Sequence, residues 1–336
     1  MLFSAFGSYS NGECWLTTYG QNNFFETTRT AAVWPGDMIG YEEVDRRDEG
    51  LEMYGRIPLL IECSGQVGER VNRLIDNAVA AKVASARESR ARSIYFNFET
   101  YFSSPHVSII LKSTAASASS KTEVTSINFN INSGEQLSVS DIVGTHVVQL
   151  AEGLLEEMIR RNPERYNPSF SGMRRNQAFS VTNRQVVFWF DEFQLTQGSD
   201  GIVPLTLRMS NINTVTINRD EVRVRPGFNI KMVPVGRILN GLGYSTSWDG
   251  EARQVRIYTD SSRDEFIMEL TVGQNNYLLE NRLVRSLEAA PEHVNDRVFV
   301  PISFFDQIMS LIAYNINNNG SITFASYPVA DEWFDR

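Results

Sequence analysis

The chain has 336 residues and a formal net charge of −9, and this length predicts about two domains. The acidic balance argues against a general affinity for nucleic acid or anionic membranes, which attract basic surfaces. A content of 42% hydrophobic and 21% charged residues is typical of a folded globular protein. No window reaches the ~20 apolar residues of a transmembrane helix. Met1–Gly7 is apolar but too short for a signal peptide, so it could be a signal remnant or an artificial start.

Residues 1–54 are rich in aromatic side chains and are predicted to form an arm that packs on the first domain, because a flexible tail would lack so many large apolar groups. Within this arm, residues 37–52 are acidic and expected to be exposed. Cys14 and Cys63 are compatible with a disulfide in an oxidising compartment or with two buried thiols. Neither cysteine has a CxxC context, so no metal site is expected there.

Residues 55–222 are predicted to form a first α+β domain, with helices packed on a mainly antiparallel sheet. One helix is predicted to run to about residue 90, because its apolar residues recur at three- and four-residue steps. A second helix is predicted to start after Ser138 or Ser140 and to end before Pro163. The predicted strands lie at 56–63, 94–102, 106–113, 123–131, 178–181, 186–190, 202–207 and 215–224.

The polar loop after the strand at 186–190 is predicted to be a binding surface, since loops on a rigid sheet often carry function. Asp191, Glu192 and Asp200 could supply the two acids, about 5–10 Å apart, that a glycoside hydrolase needs. Adjacent strand residues point to opposite faces, however, which favours solvated acids over a catalytic pair. No catalytic residue is therefore assigned. The candidate binding residues of this loop are Asp191, Glu192, Phe193, Gln194 and Asp200.

Residues 223–336 contain a repeated pattern of a strand end with proline, a helix and a hairpin. The first copy reads MVPVGRILNGLGYSTSWDG from Met232, and the second begins with RVFVPISFFDQIM at Arg297. Proline suits the first turn of a helix. A second α+β domain of helices on a mainly antiparallel sheet is predicted here. Trp248, beside the Asp249–Gly250 turn, is a candidate platform for a sugar ring; the alternative is an aromatic that stabilises the hairpin.

The residue pattern indicates no further catalytic or metal-binding chemistry. His106 and His146 have no partner at metal-ligand spacing and are interpreted as structural. The chain has no GxSxG, HExxH or GxxxxGK[ST] motif. Neither a metal nor a cofactor is therefore expected.

Two resemblances to known families extend this interpretation. Residues 228–326 resemble the copper amine oxidase N-terminal-like domain of bacterial surface proteins, on the two Val-Pro helices and the SWDG hairpin; this resemblance implies no copper chemistry. Residues 55–220 resemble the RsiV-like module of lysozyme-binding anti-sigma factors and of peptidoglycan-deacetylase accessory regions. The matching stretches are IPLLIECSGQVGERVNRLI, YFNFETYF, SINFNINSGEQLSVSDIV and FSVTNRQVVFWFDEFQL. Where that family has an aromatic–Glu–Ile–Ala–Pro–Tyr loop, this chain has FQLTQG at 193–198.

The resemblances imply an extracellular or cell-surface bacterial protein without catalytic activity. Its expected partner is a cell-wall glycan, another envelope component or a secreted protein. The alternatives are an inhibitor or sensor of lysozyme-like hydrolases and a glycan-acting enzyme.

Overall fold

The computed structural model describes residues 29–30, 39–61, 65–103, 105–117, 120–197, 200–258, 266–279, 282–308 and 312–327. Cys14, Cys63 and most of the predicted N-terminal arm lie outside these ranges. The described chain divides into two compact units that interleave in sequence. Unit 1 comprises the chain up to Ser138 and Pro163–Met209, and unit 2 comprises Val139–Asn162 and the chain from Ser210 onward. The predicted domains were consecutive, with a boundary between residues 222 and 223.

Unit 1 contains a six-stranded sheet in the order β1-β2-β3-β4-β5-β6. Neighbouring strands are antiparallel except β3 and β4, which are parallel. A parallel pair needs a crossover connection, and helix α1 supplies it. These elements are β1 Arg29–Thr30, β2 Ile39–Asp48, β3 Leu51–Leu60, α1 Gly65–Glu88, β4 Ser93–Ser103, β5 His106–Ala116 and β6 Ser120–Asn130.

Helix α1 buries one stripe of side chains against this sheet. Its buried residues recur at steps of three and four, as one face of an α-helix requires. Val71 and Ile75 share a buried cluster with Met53, Phe96 and Ile109 of the strands. In the third turn of the helix, the Asn72 side chain accepts a hydrogen bond from the Leu60 N–H at 2.8 Å and donates one to the Leu60 carbonyl at 3.3 Å. The end of β3 is thereby joined to α1.

A second, antiparallel sheet of unit 1 has the order β7-β8-β9. Its strands are β7 Ala178–Val181, β8 Gln185–Phe190 and β9 Val203–Arg208. Strand β5 is covered on both faces. Ile109 belongs to the cluster with α1, whereas the adjacent Ile110 packs with Ala178 of β7. This double coverage explains why five consecutive residues of β5, from Val107, are buried.

The described residues of unit 2 form three antiparallel sheets, in the orders β10-β21-β20, β11-β12-β19-β18 and β13-β14-β15-β16-β17. Short 3-10 turns lie at Met209–Asn211 and Arg219–Glu221. The helices are α2 Val139–Val143, α3 Thr145–Arg161, α4 Val235–Gly241 and α5 Ser303–Ile308. The strands are β10 Asn213–Ile217, β11 Arg223–Arg225, β12 Ile230–Pro234, β13 Ser245–Asp249, β14 Gln254–Tyr258, β15 Phe266–Thr271, β16 Asn276–Leu279, β17 Arg282–Ser286, β18 Glu292–Val294, β19 Arg297–Pro301, β20 Ile312–Ile316 and β21 Ile322–Ser326.

The sequence repeat appears as two strand–helix–hairpin copies in unit 2. The first copy is β12, α4, β13 and β14, and the second is β19, α5, β20 and β21. The two proline-ending strands pair with each other, with Val233 opposite Val300. Both residues belong to the main buried cluster of unit 2, together with Ile238, Phe305 and Phe324. Thus each copy contributes its strand and helix to one shared core.

Strands dominate the described residues, which form several sheets and contain few helices. Three expectations from the sequence need correction. The acidic stretch at 37–52 contains strand β2, which buries Val44 but exposes most of its charged end. The second predicted helix is two helices, α2 and α3, because Gly144 has a φ of +87° and cannot continue a right-handed helix. The strand predicted at 215–224 is interrupted by the turn at Arg219–Glu221.

Candidate functional site

The loop after β8, predicted as a binding surface, begins with a buried and fully engaged carboxylate. Asp191 is 4% exposed. Its Oδ1 accepts a hydrogen bond from the Val124 N–H at 2.7 Å, and its Oδ2 contacts Nη1 of Arg174 at 2.6 Å. This acid, a candidate for the hydrolytic pair, therefore connects the end of β8 to β6 within unit 1.

The next residues of the loop extend that connection. The Oε2 of Glu192 accepts the Thr122 N–H at 2.8 Å, and the Glu192 N–H donates to the Thr122 carbonyl at 3.0 Å. The Gln194 side chain accepts the Asp191 N–H at 3.0 Å and donates to Gln177 Oε1 at 2.9 Å. These polar groups have partners inside unit 1.

Two predicted members of the loop face solvent. Phe193 is 44% exposed, with a left-handed φ of +64°, and its carbonyl accepts a hydrogen bond from Asn167 Nδ2 at 2.9 Å. Asp200 is also exposed. Of the predicted binding residues of this loop, Phe193 and Asp200 thus present an aromatic ring and a carboxylate at the surface.

The sixth predicted residue, Trp248, lies at a cavity of about 430 Å³ in unit 2. The lining is contributed by the start of α4, by strands β13 and β14, and by the β18–β19 hairpin. Val235, Val255 and Val298 give it an apolar part. A concave, partly apolar site with a few polar groups is the usual form of a small-molecule site.

Trp248 provides an aromatic wall of this cavity. The side chain is 43% exposed, and its ring stacks on His293 with centroids 5.0 Å apart and planes 14° from parallel. The neighbouring turn is held by Asp249, whose Oδ1 accepts the N–H groups of Glu251 and Ala252 at 3.0 Å each. One face of the indole is therefore supported by protein in a hairpin with a fixed turn.

Two arginines of the lining share one carboxylate. Nη1 of Arg237, on α4, forms an ion pair with Glu221 Oε1, and Nη1 of Arg297, on β19, lies 3.6 Å from the same oxygen. The other carboxylate oxygen of Glu221 accepts the Asn218 N–H at 3.1 Å. The Glu221 side chain is 12% exposed, against 43% for Arg237 and 56% for Arg297. The acid is therefore enclosed while both guanidinium groups reach solvent.

The β18–β19 hairpin places charged groups next to the aromatic pair. Its connection is Asn295–Asp296, with φ values of +49° and +57°, as a tight two-residue hairpin turn requires. Val294 pairs with Arg297, and His293 pairs with Val298. His293, whose ring supports Trp248, and Arg297 therefore belong to the same short, rigid hairpin.

Sequence reasoning found Trp248 but missed Glu221, Arg237, Arg297 and the role of His293. The available signal was the repeat. Arg237 closely follows the first Val-Pro strand end, and Arg297 begins the second such strand. Pairing of the two repeat strands could have predicted that these arginines lie near each other. Glu221 gave no such signal, because it lies in a turn that interrupts a predicted strand.

Among the residues that the structure describes, no group of three or more His, Cys, Asp or Glu side chains is placed to hold a metal ion. Over the same residues, no helix is both long enough and apolar enough to cross a membrane.

The chain has no match among curated proteins. A crystal structure of a DUF3298-family member from Bacteroides fragilis aligns with a TM-score of 0.37 and 10% identity, covering 55% of this chain and 93% of the other. A DUF3298-family protein from Pseudomonas aeruginosa aligns with a TM-score of 0.36 and 15% identity, covering 56% and 92%. Neither alignment confirms the RsiV-like resemblance of residues 55–220, which stays a prediction.

The resemblance predicted for residues 228–326 is confirmed by a family model. Residues 229–323 match the model described as the copper amine oxidase N-terminal domain. This range contains every residue that lines the cavity.

Proposed function

We propose that the protein is a non-catalytic binding protein of the bacterial cell surface or extracellular space, which recognises a cell-wall glycan through the cavity of unit 2. The observation that carries this proposal is the half-exposed Trp248 ring, backed by His293 at the wall of a 430 Å³ cavity. An aromatic face supported from behind can stack on the apolar face of a sugar ring, since such a contact buries a large area with little ordering cost. The cavity volume also falls within the range of small-molecule sites.

The charges of the lining support binding more than hydrolysis. Asp296 is the one carboxylate among the described lining residues, whereas glycoside hydrolysis usually requires two acids facing each other across the scissile bond. Glu221 lies behind the arginines and is engaged by them. Incubation with peptidoglycan should accordingly release no reducing ends above the level of an Asp296→Asn variant.

The proposal is tested by titrating the purified chain with a β-1,4-linked N-acetylglucosamine trisaccharide and by co-sedimentation with insoluble peptidoglycan. Trp248→Ala should weaken trisaccharide binding at least about fivefold, if a sugar ring gains from the indole about as much as a stacked base does, which is about 1–3 kcal/mol. Trp248→Phe should retain part of the affinity because a smaller ring remains.

Phe228→Ala is the matched control. Phe228 is 69% exposed and belongs to unit 2, but it is not among the lining residues. Its removal should leave binding unchanged. Absence of glycan binding by the wild-type chain, or equal binding by Trp248→Ala, would contradict the proposal.

A second candidate function, the recognition of a lysozyme-like hydrolase, is favoured by one observation in unit 1. Phe193 is held at the surface by a left-handed backbone and by the Asn167 hydrogen bond, and an exposed aromatic of this kind is typical of protein contacts. Immobilised protein should then retain lysozyme at micromolar concentration, and Phe193→Ala should release it. No retention by the wild-type chain would exclude this function for lysozyme.

A further inference from the structure

The arginine pair beside the Trp248 wall is organised in a way that a neutral sugar does not require. Arg237 and Arg297 both contact one oxygen of Glu221, and the second oxygen accepts a backbone N–H. A guanidinium group carries five N–H donors in a planar fork and has no acceptor. A single carboxylate oxygen engages only a small part of the donors of two arginines, so the remaining donors are available at the cavity.

Burial shows which side of the cluster faces the cavity. Glu221 is 12% exposed and does not line the cavity, whereas both arginines line it and are about half exposed. Glu221 therefore acts as a positioning residue. It forms ion pairs with two long side chains from different elements, α4 and β19, and by restraining them lowers the ordering cost of using them for recognition.

The net charge of the cluster is close to zero before a ligand binds. Arg237 and Arg297 contribute +2, and Glu221 and Asp296 contribute −2. Both arginines and Asp296 line the cavity, and Glu221 pairs with the two arginines. A long-range electrostatic field is thus a weak source of attraction. Directed N–H donors remain as the source of specificity, and these suit a carboxylate, which arginine binds in a two-pronged geometry.

We infer that the ligand is an acidic sugar. This inference rests on the proposed function. One ring of the glycan stacks on Trp248, and its carboxylate accepts hydrogen bonds from Arg237 and Arg297. Two sources of such a carboxylate are the lactyl ether of N-acetylmuramic acid and the C6 carboxylate of a uronic acid. Both present two coplanar oxygens to the guanidinium pair.

Isothermal titration calorimetry with a matched series of glycans tests the inference. The probes are the disaccharide of N-acetylglucosamine and N-acetylmuramic acid as the free acid, the methyl ester of the same disaccharide, a galacturonate trisaccharide, and the neutral N-acetylglucosamine trisaccharide. The ester differs from the acid in charge but hardly in shape. We expect the free acid to bind at least about tenfold more tightly than its ester, because hydrogen bonds to charged groups are the stronger class. Comparison of the affinities for the muramyl acid and the uronate shows which carboxylate position on the sugar is recognised.

Variants assign the preference to the arginines. Arg297→Gln and Arg237→Gln should each reduce the affinity for the acid toward that of the ester, while the affinity for the ester stays unchanged. Arg253→Gln is the charge-matched control, since Arg253 belongs to unit 2 but is not part of the lining. Glu221→Gln should also reduce the preference for the acid, although Glu221 does not line the cavity.

The outcomes separate this inference from the proposed function. The acidic-sugar inference would be overturned if the wild-type chain bound the muramyl acid no more tightly than its ester and the galacturonate no more tightly than the neutral trisaccharide. It would also be overturned if Arg297→Gln lost affinity equally for acidic and uncharged probes. If the neutral trisaccharide still binds and depends on Trp248, glycan binding itself stands. If none of the four probes binds, the proposed function and the inference both fail.

Discussion

The carboxylate of Asp191 is expected to stabilise unit 1 and not to bind a partner, and Asp191→Ala tests this directly. The substitution removes the acceptor of the Val124 N–H and leaves that buried donor unpaired, at a cost of about 1–3 kcal/mol. Loss of the charge-assisted bond itself adds about 1 kcal/mol or more. The released Arg174 adds little, because its side chain is 53% exposed and becomes hydrated. The free energy of unfolding should therefore fall by about 3 kcal/mol.

Urea unfolding of the whole chain, followed by tryptophan fluorescence, measures this change. A loss of about 3 kcal/mol should lower the unfolding midpoint by about 1–2 M for an m-value of about 2 kcal/mol/M. Hydrogen exchange at the Val124 amide should accelerate, which localises the effect to β6. Asp200→Ala, an exposed acid of the same loop, should change stability by less than about 0.5 kcal/mol. A loss below about 1 kcal/mol in Asp191→Ala would refute the structural role.

Three further predictions concern other contacts. Burial raises the pKa of Glu123, but hydrogen bonds from Lys121 and Lys82 outweigh it and hold the pKa at about 2, below the ordinary 4.5. The resulting stabilisation is present above pH 4.5 and is lost as the pH falls toward 2. Urea unfolding at pH 7 and pH 3 should therefore show that Glu123→Gln abolishes about 1 kcal/mol of pH-dependent stability, a value reduced for solvent screening. Gly55→Ala should destabilise unit 1 by about 3 kcal/mol or more in the same assay, because φ is +109° and a Cβ would overlap the Phe96 carbonyl. His293→Ala should weaken trisaccharide binding about two- to tenfold in calorimetry by removing the support of Trp248.

Sequence patterns predicted those elements that depend on the spacing of apolar residues along the chain. Helix α1 was found because its buried residues keep a strict three- and four-residue spacing over its whole length. Strand β2 was missed because only Gly40 and Val44 are buried along it, so the alternation typical of strands is absent. The break between α2 and α3 depends on one glycine, and an isolated glycine inside a helical pattern does not by itself predict a break.

The loop after β8 and the cavity at Trp248 depend on contacts between residues far apart in sequence, which sequence patterns do not predict. The loop after β8 was polar and followed a strand end, so it was predicted to bind. Two of its acids, Asp191 and Glu192, accept hydrogen bonds from the backbone of β6, at Val124 and Thr122. Trp248 was identified because a large aromatic beside a tight turn is visible in sequence. Its surroundings follow from strand pairing, which alone brings β18, β19 and α4 to the same cavity.

The most direct test of the binding cavity is the indole N–H signal of Trp248 in a 1H–15N NMR titration. The chain has five tryptophans, and Trp248→Phe assigns the signal by its disappearance. The muramyl disaccharide should shift the Trp248 signal saturably and leave the other indole signals in place. An unchanged Trp248 signal at millimolar disaccharide would contradict glycan binding at this cavity.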